Sequence, residues 1–335
     1  MVQLGVLDYA QIDEGENATT ALHHTVLLAK HAEALGYTRF WMAEHHNVPA
    51  FASSSPEMVM MHLANATKRI RLGSGGVMLP HYSPYKVAEN FRILEAFFPN
   101  RIDLGIGNNI GTPLVKNALN ENKNSILDYE KSMKDIQTYL TDQVNEEHRF
   151  HGITANPVVP TNPEMWLLST SMKNAKVAAK LGLGYMFGLF LLADEKKLAN
   201  ARKAIDLYQS EFNPSPFMKK PNVSIAPIIV VADTNEQARA YAKTLDLWLL
   251  GKGHFTELRT YPSIDTARNY PYTEYDKQLI QTNRNRMIVG DIDRVKTELD
   301  TLIKRYKADE VLFIPLIPGI EARKRALELL ADAFL

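Results

Sequence analysis

The feature that most constrains this chain is an alternation. Short β-like runs and longer helical patterns follow one another eight times along its 335 residues. The β-like runs are 3–8, 39–43, 70–77, 101–107, 165–169, 185–189, 223–231 and 310–315. The intervening patterns predict helices over 20–35, 56–67, 84–97, 125–140, 174–181, 194–212, 235–250 and 320–334. Strands separated by crossover helices lie parallel, because no hairpin can join them. Eight such units closing on themselves make a (β/α)8, or TIM, barrel. A doubly wound sheet in two domains competes with it, but that architecture needs a linker, and no stretch has the composition of one. The fold class is therefore α/β, a single TIM-barrel domain over residues 1–335.

Local punctuation agrees. Gly36 and Gly182 stand where helices need a C-terminal glycine, and Ser55 precedes Pro56 as an N-cap does. Two stretches, 141–163 and 251–290, break the alternation and are expected to be irregular insertions. The second is polar, tyrosine-rich and arginine-bearing, and reads as a mobile lid.

Composition removes whole classes of chemistry. There is no cysteine, so disulfides, thiolate metal sites and a cysteine nucleophile are excluded. Thirty-eight basic residues balance 38 acidic ones, which leaves no net field to attract nucleic acid or an anionic membrane. No apolar run is long enough to span a bilayer, and the opening MVQLGVLDYA lacks the pattern of a signal peptide. A cytoplasmic protein is expected.

Barrel active sites sit where the strands exit at their C-terminal ends. The second exit reads Glu44-His45-His46, three ionisable groups that suit acid–base work. The competing reading is a helix cap beside a surface histidine. No HExxH and no third ligand at helical spacing accompany the pair, so no metal is expected. Gly75-Gly76 at the third exit permits close approach of a ligand, or simply a tight bend. Gly105 and Gly107 have the wrong spacing for a dinucleotide loop. Ser169-Thr170-Ser171 opens a helix, where hydroxyls and free N–H groups suit a phosphate, with Asn174 one turn further on. An ordinary N-cap is the structural alternative. No GxSxG elbow supports a serine hydrolase.

The segments from Trp41 to Asn47, Leu72 to Pro80 and Arg101 to Gly107 together resemble the bacterial luciferase-like monooxygenase family, and the likeness runs in order along nearly the whole chain. The resemblance implies a (β/α)8 barrel that binds reduced FMN, delivered by a separate flavin reductase, with the deazaflavin F420 used instead by some relatives. It implies capture of O2 as a C4a-hydroperoxyflavin that oxidises a small organic substrate such as an aldehyde. Residue by residue, His45 matches the family's acid–base histidine and Glu44 its support. Gly75 and Gly76 match a pair lying against the flavin ring, sometimes joined by a cis peptide. Thr170, Ser171 and Asn174 match the flavin-phosphate cradle. The family also implies a homodimer.

The departures are specific. Asn108 stands where relatives carry an arginine that grips the flavin phosphate, and Ser-Thr-Ser replaces Gly-Ser-Ser. Arg284 or Arg286 of the expected lid could supply the missing charge. A non-catalytic flavin- or ligand-binding relative, or an F420-dependent oxidoreductase, is the alternative function.

Overall fold

The computed structural model describes residues 2–121, 128–191 and 195–335. The strands β1 (Gln3–Asp8), β2 (Arg39–Met42), β3 (Arg71–Ser74), β4 (Val77–Met78), β5 (Ile102–Gly107), β6 (Glu164–Leu168), β7 (Gly184–Phe187) and β8 (Val223–Ile225) come in chain order. They are followed by β9 (Ile228–Val231), β10 (Met287–Gly290) and β11 (Glu310–Phe313). The helices are α1 (Ala18–Leu35), α2 (Pro56–Ala66), α3 (Pro84–Phe97), α4 (Pro113–Leu119), α5 (Tyr129–Leu140) and α6 (Met172–Leu181). Then come α7 (Glu195–Ser210), α8 (Asn235–Trp248), α9 (Ile264–Asn269), α10 (Glu274–Arg284), α11 (Ile292–Tyr306) and α12 (Ile320–Phe334).

Every pairing within the main sheet is parallel. The order β3-β2-β1-β11-β8-β7-β6-β5 closes when Leu72 and Gly73 of β3 pair with Ile102 and Asp103 of β5. Eight strand positions and surrounding helices make the expected TIM barrel. Among the described residues no helix is long and apolar enough to cross a membrane.

Two layers of apolar packing follow from the alternation of side chains along each strand. Leu4, Val6, Phe40 and Leu72 face outward onto the helices. Leu7, Trp41, Trp166, Met186 and Leu312 fill the barrel itself. The two tryptophans meet edge to face, with ring centroids 5.5 Å apart. Glycines make room for them. A Cβ on Gly73 would lie 2.4 Å from Trp41, and one on Gly184 would lie 2.4 Å from Trp166. Gly105 is likewise a packing glycine, since its Cβ would fall 2.0 Å from the Ser74 carbonyl oxygen.

The N-terminal mouth of the barrel is plugged by charge. Arg39 begins β2 and donates from Nη1 to Asp103 at 2.7 Å, while its Nε lies 2.8 Å from Glu310, the first residue of β11. Arg71 donates to the other oxygen of Asp103 at 2.6 Å. This cluster leaves the opposite, C-terminal mouth as the open one.

Several expected boundaries need correction. The third run is interrupted at the Gly75–Gly76 peptide, which is cis, and so becomes β3 and β4. The run 223–231 also splits. Only β8 belongs to the barrel, and β9 pairs instead with β10 in a separate two-stranded sheet. The stretch 251–290 is not irregular: it holds α9, α10 and β10. The helix α11, which follows, has no counterpart in the sequence reading. Ser55 occupies the N-cap position without making a side-chain capping bond. Gly36 and Gly182 do take the left-handed backbone expected of them, at φ 91° and 62°. The helix starts expected at Ser125 and Asp194 lie outside the described residues.

Candidate active site

The strand exits converge on one cavity of about 860 Å³ at the C-terminal mouth. Its walls include Glu44, His45, Gly75, Gly76, Asn108, Thr170 and Ser171, taken from four different strand exits. The local reasons for this arrangement start at β2. As β2 ends, the Ala43 N–H still donates to Asp8, and the Gly75 N–H donates to Met42 at 2.7 Å. The three exits are thereby tied side by side.

Glu44 is buried and fully engaged. One carboxylate oxygen accepts from the Tyr82 hydroxyl at 2.6 Å and meets His46 Nε2 at 2.8 Å. The other accepts from the Met78 N–H at 2.9 Å. Burial pushes the Tyr82 phenol well above its ordinary range, and the carboxylate beside it pushes the same way. Tyr82 is therefore a fixed donor. Glu44 ties β2 to β4 and to the turn before α3, and its position rather than its basicity is what it contributes.

His45 differs in every respect. It is half-buried, its backbone N–H donates to Ser53, and its Nδ1 has no hydrogen-bond partner among the described residues. The ring sits against Tyr9 and Phe51, with centroids 4.6 and 5.2 Å away. Burial lowers its pKa to about 4, and the neighbouring His46 adds to the effect. At neutral pH the imidazole is uncharged, so it keeps one N–H donor and one lone-pair acceptor at the cavity wall.

The glycine pair lines the same wall because nothing larger fits. A Cβ on Gly76 would lie 2.8 Å from the backbone oxygen of Gly105, and one on Gly75 would lie 2.3 Å from Leu7. Across the cavity, Ser171 caps α6 by accepting from the Asn174 N–H at 3.2 Å. The Asn174 side chain donates to Ser169 at 3.0 Å. Asn174 does not line the cavity; it braces Ser169, which does. The first-turn N–H groups of α6 and the hydroxyls of Thr170 and Ser171 form a set of donors suited to an anion.

Among the described residues Glu44 is the only formally charged side chain on the cavity walls, and its oxygens are spent within the protein. Neither Arg284 nor Arg286, expected to bring a charge toward Asn108, lines this cavity. Arg284 is paired with Asp246 at 2.6 Å. Arg286 lines a smaller side pocket of about 220 Å³. Seven of the eight residues singled out from sequence thus share one cavity. Sequence reasoning passed over Tyr82, whose only signal was its place just beyond the third exit. It also passed over Phe190 and Phe255, apolar residues with no signal that sets them apart from the core.

The comparisons with known proteins point one way. The family description "luciferase-like monooxygenase" matches residues 2–304. An uncharacterised protein of Bacillus subtilis, YwcH, is 42% identical over 100% of this chain and 99% of its own length. The N-acetyl-S-alkylcysteine monooxygenase of the same organism is 35% identical over 100% of this chain and 99% of its own length. The crystal structure of apo-MsnO8 superposes with a TM-score of 0.84 at 33% identity, covering 99% of this chain and 97% of that one.

Proposed function

The chain belongs to the luciferase-like monooxygenase family, and from that premise we propose that it is a cytoplasmic FMN-dependent monooxygenase acting on a small organic substrate such as an aldehyde. The observation that carries the proposal is the placing of His45. A neutral imidazole, whose Nδ1 has no hydrogen-bond partner among the described residues, faces a cavity walled on one side by Gly75–Gly76 and on another by the N-terminus of α6.

The residues present fit a flavin mononucleotide. The volume lies within the range of cofactor sites, which is about 300–1,000 Å³. The glycine pair gives a flat backbone wall for a planar ring, and Thr170, Ser171 and the α6 N–H groups give neutral donors for a phosphate. When bound in reduced form and met by O2, such a group supplies the oxygenating power. The protein's share is position, proton handling and exclusion of water. His45 is placed to hold or accept a proton at the cofactor's edge, an effect of order 10²–10⁴-fold. Glu44 keeps the β2 exit and Met78 in register. The aromatic and aliphatic side chains of the mouth, Phe190, Leu191 and Phe255, keep water from the site.

Secondary alcohol dehydrogenase of the same fold is F420-dependent, and the oxygenating constituent of 3,6-diketocamphane monooxygenase of the same fold is in complex with FMN. At 14% and 15% identity these likenesses concern the fold alone. FMN is preferred here because of the family and because the α6 donors are few and neutral. A separate reductase is proposed as the source of reduced flavin, and a homodimer of single-barrel chains as the working form, which light scattering would test.

The decisive test is an anaerobic titration with reduced FMN followed by an oxygen pulse, with absorbance followed by stopped flow. Saturable binding and an oxygen-derived absorbing species that is lost in His45→Ala is the expected result. Binding of neither reduced FMN nor reduced F420 would sink the proposal. Oxidation that survives unchanged in His45→Ala would remove the role given to that residue.

A further inference from the structure

The side pocket of about 220 Å³ opens off the main cavity. The two share six wall residues, among them Tyr9, His45 and Phe190. The rest of the side pocket is apolar, formed by residues such as Phe51, Ile228, Trp248 and Leu316, with one exception. The exception is Arg286.

Arg286 lies between α10 and β10, next to Met287, which the β9–β10 ladder fixes opposite Ile228. Two of its donors are satisfied within the protein. Nη1 donates to the Phe190 carbonyl and Nη2 to the Asn283 side-chain oxygen, both at 2.7 Å. Nε is buried and has no hydrogen-bond partner among the described residues. Nor does any carboxylate come within ion-pairing distance of it among those residues. This sets it apart from Arg39, Arg71, Arg284 and Arg323, buried or half-buried like it, which all reach one. Burial alone acts on its pKa, downward, with no acid to oppose it. A guanidinium has five N–H donors; Nε is closed to solvent, so the second N–H of Nη1 and that of Nη2 remain to meet a planar carboxylate. A half-buried cation with spare donors beside an apolar pocket is costly unless something anionic completes it.

From this we infer that the substrate carries a carboxylate on an apolar chain, that Arg286 anchors the carboxylate, and that the chain runs past His45 into the main cavity. The inference rests on the monooxygenase reading for what happens at the other end of the substrate, but the anchoring itself needs no flavin. A flavin phosphate is the other anion that Arg286 could meet. The pocket assignment argues against it, because Thr170, Ser171 and Asn108 line the main cavity and not the side pocket, whereas Arg286 lines the side pocket and not the main cavity.

Calorimetric titration of the full chain with octanoate and with octan-1-ol tests the anchoring directly. The two probes share an apolar chain and differ in charge. Octanoate is expected to bind about 10- to 100-fold more tightly than the alcohol, as one charge-assisted pair predicts. Arg286→Met is expected to abolish that preference, and Arg286→Lys to keep part of it, because charge remains while the planar fork is lost. Equal or better binding of the alcohol by the unmodified protein would overturn the inference without any variant being made. A parallel titration with reduced FMN and reduced riboflavin separates the two anions. If Arg286→Met weakens FMN and spares riboflavin, Arg286 serves the flavin phosphate and the inference is overturned. If neither these flavins nor reduced F420 binds while octanoate still outcompetes the alcohol, the monooxygenase reading fails and the anion site stands.

Discussion

Tyr82 donates its hydroxyl hydrogen to Glu44 across 2.6 Å, joining the exit of β2 to the turn that precedes α3. The same carboxylate takes the Met78 N–H at 2.9 Å, so one side chain fastens three segments of the cavity wall. Glutamine at this position has one acceptor oxygen, and at least one of these donors must go unmet. Hydrogen bonds to a charged group are worth about 1.5–3 kcal/mol. Glu44→Gln is therefore expected to lower kcat/KM about 10- to 100-fold, and Tyr82→Phe, which removes a single donor, to lower it less. Steady-state kinetics of the two variants check this ordering. Wild-type turnover in Glu44→Gln would show that the carboxylate does not hold the site.

Two groups of shifted pKa pull the pH dependence of stability in opposite directions. His45 has its pKa lowered to about 4, so between that value and the ordinary 6.5 the unfolded chain holds a proton the folded one lacks. Stability contributed by this group is lost as pH falls through that window, by roughly 3 kcal/mol in all. Glu310 is raised by burial to about 7 from an ordinary 4.5, so the folded chain holds the extra proton, and stability is lost as pH rises. The slopes oppose one another between about pH 4.5 and 6.5. Denaturant titrations across this range are expected to show stability falling with pH in His45→Gln, relative to wild type, and rising with pH in Glu310→Gln. Parallel profiles for both variants would refute the assignment.

The charge cluster at the closed mouth is expected to be unequal in its parts. Asp103 accepts from Arg39, Arg71 and the Trp41 indole, and those arginines hold its carboxyl below the usual range despite its burial. Asp103→Asn leaves two arginines short of a counter-charge and should cost about 3–5 kcal/mol of unfolding free energy. Glu310→Gln imitates the protonated form that the folded state favours at pH 6 and should change stability by less than about 1 kcal/mol there. Urea unfolding at pH 6 compares the two, and an equal loss in both would contradict this division.

Asn108 offers a gain of function. It is exposed on the main cavity wall, within the segment between β5 and α4. Asn108→Arg would place a charge where the described walls have no lysine or arginine, and reduced FMN should bind about 10- to 100-fold more tightly, with reduced riboflavin unaffected. Fluorescence or absorbance titration with both flavins measures this. An equal change for the two would mean that the arginine does not meet the phosphate.

Much of this was legible in the chain. The barrel could be read because each strand and helix carries its own periodicity, and those periods are local. The cavity could be read because a closed parallel barrel brings every strand exit to one end, so Glu44, Gly75 and Ser171 must be neighbours whatever their separation in sequence. What could not be read is tertiary in origin. The run 223–231 has one apolar pattern throughout, and nothing local says that Ile225 belongs to the barrel while Ile228 pairs with Met287 of β10. Asn174 looked like a ligand because its type and spacing suit one, but its amide is taken up by Ser169. Arg286 looked like a candidate for the phosphate because it is cationic and lies in an insertion, and only the packing of Phe190 and Asn283 around it shows which pocket it lines.

The small β9–β10 sheet has a consequence for how such a protein diversifies. The segment 251–286 leaves the fold after α8 and returns at β10, and β10 lies beside β9, which immediately precedes α8. The return strand is thus held outside the barrel against the strand that leads into α8, and the ladder there is independent of the eight strands. Residues between α8 and β10 can be lengthened, shortened or exchanged without changing barrel register. Selectivity for new molecules can then be acquired by grafting this segment from a relative, while the cavity floor and its histidine are inherited intact.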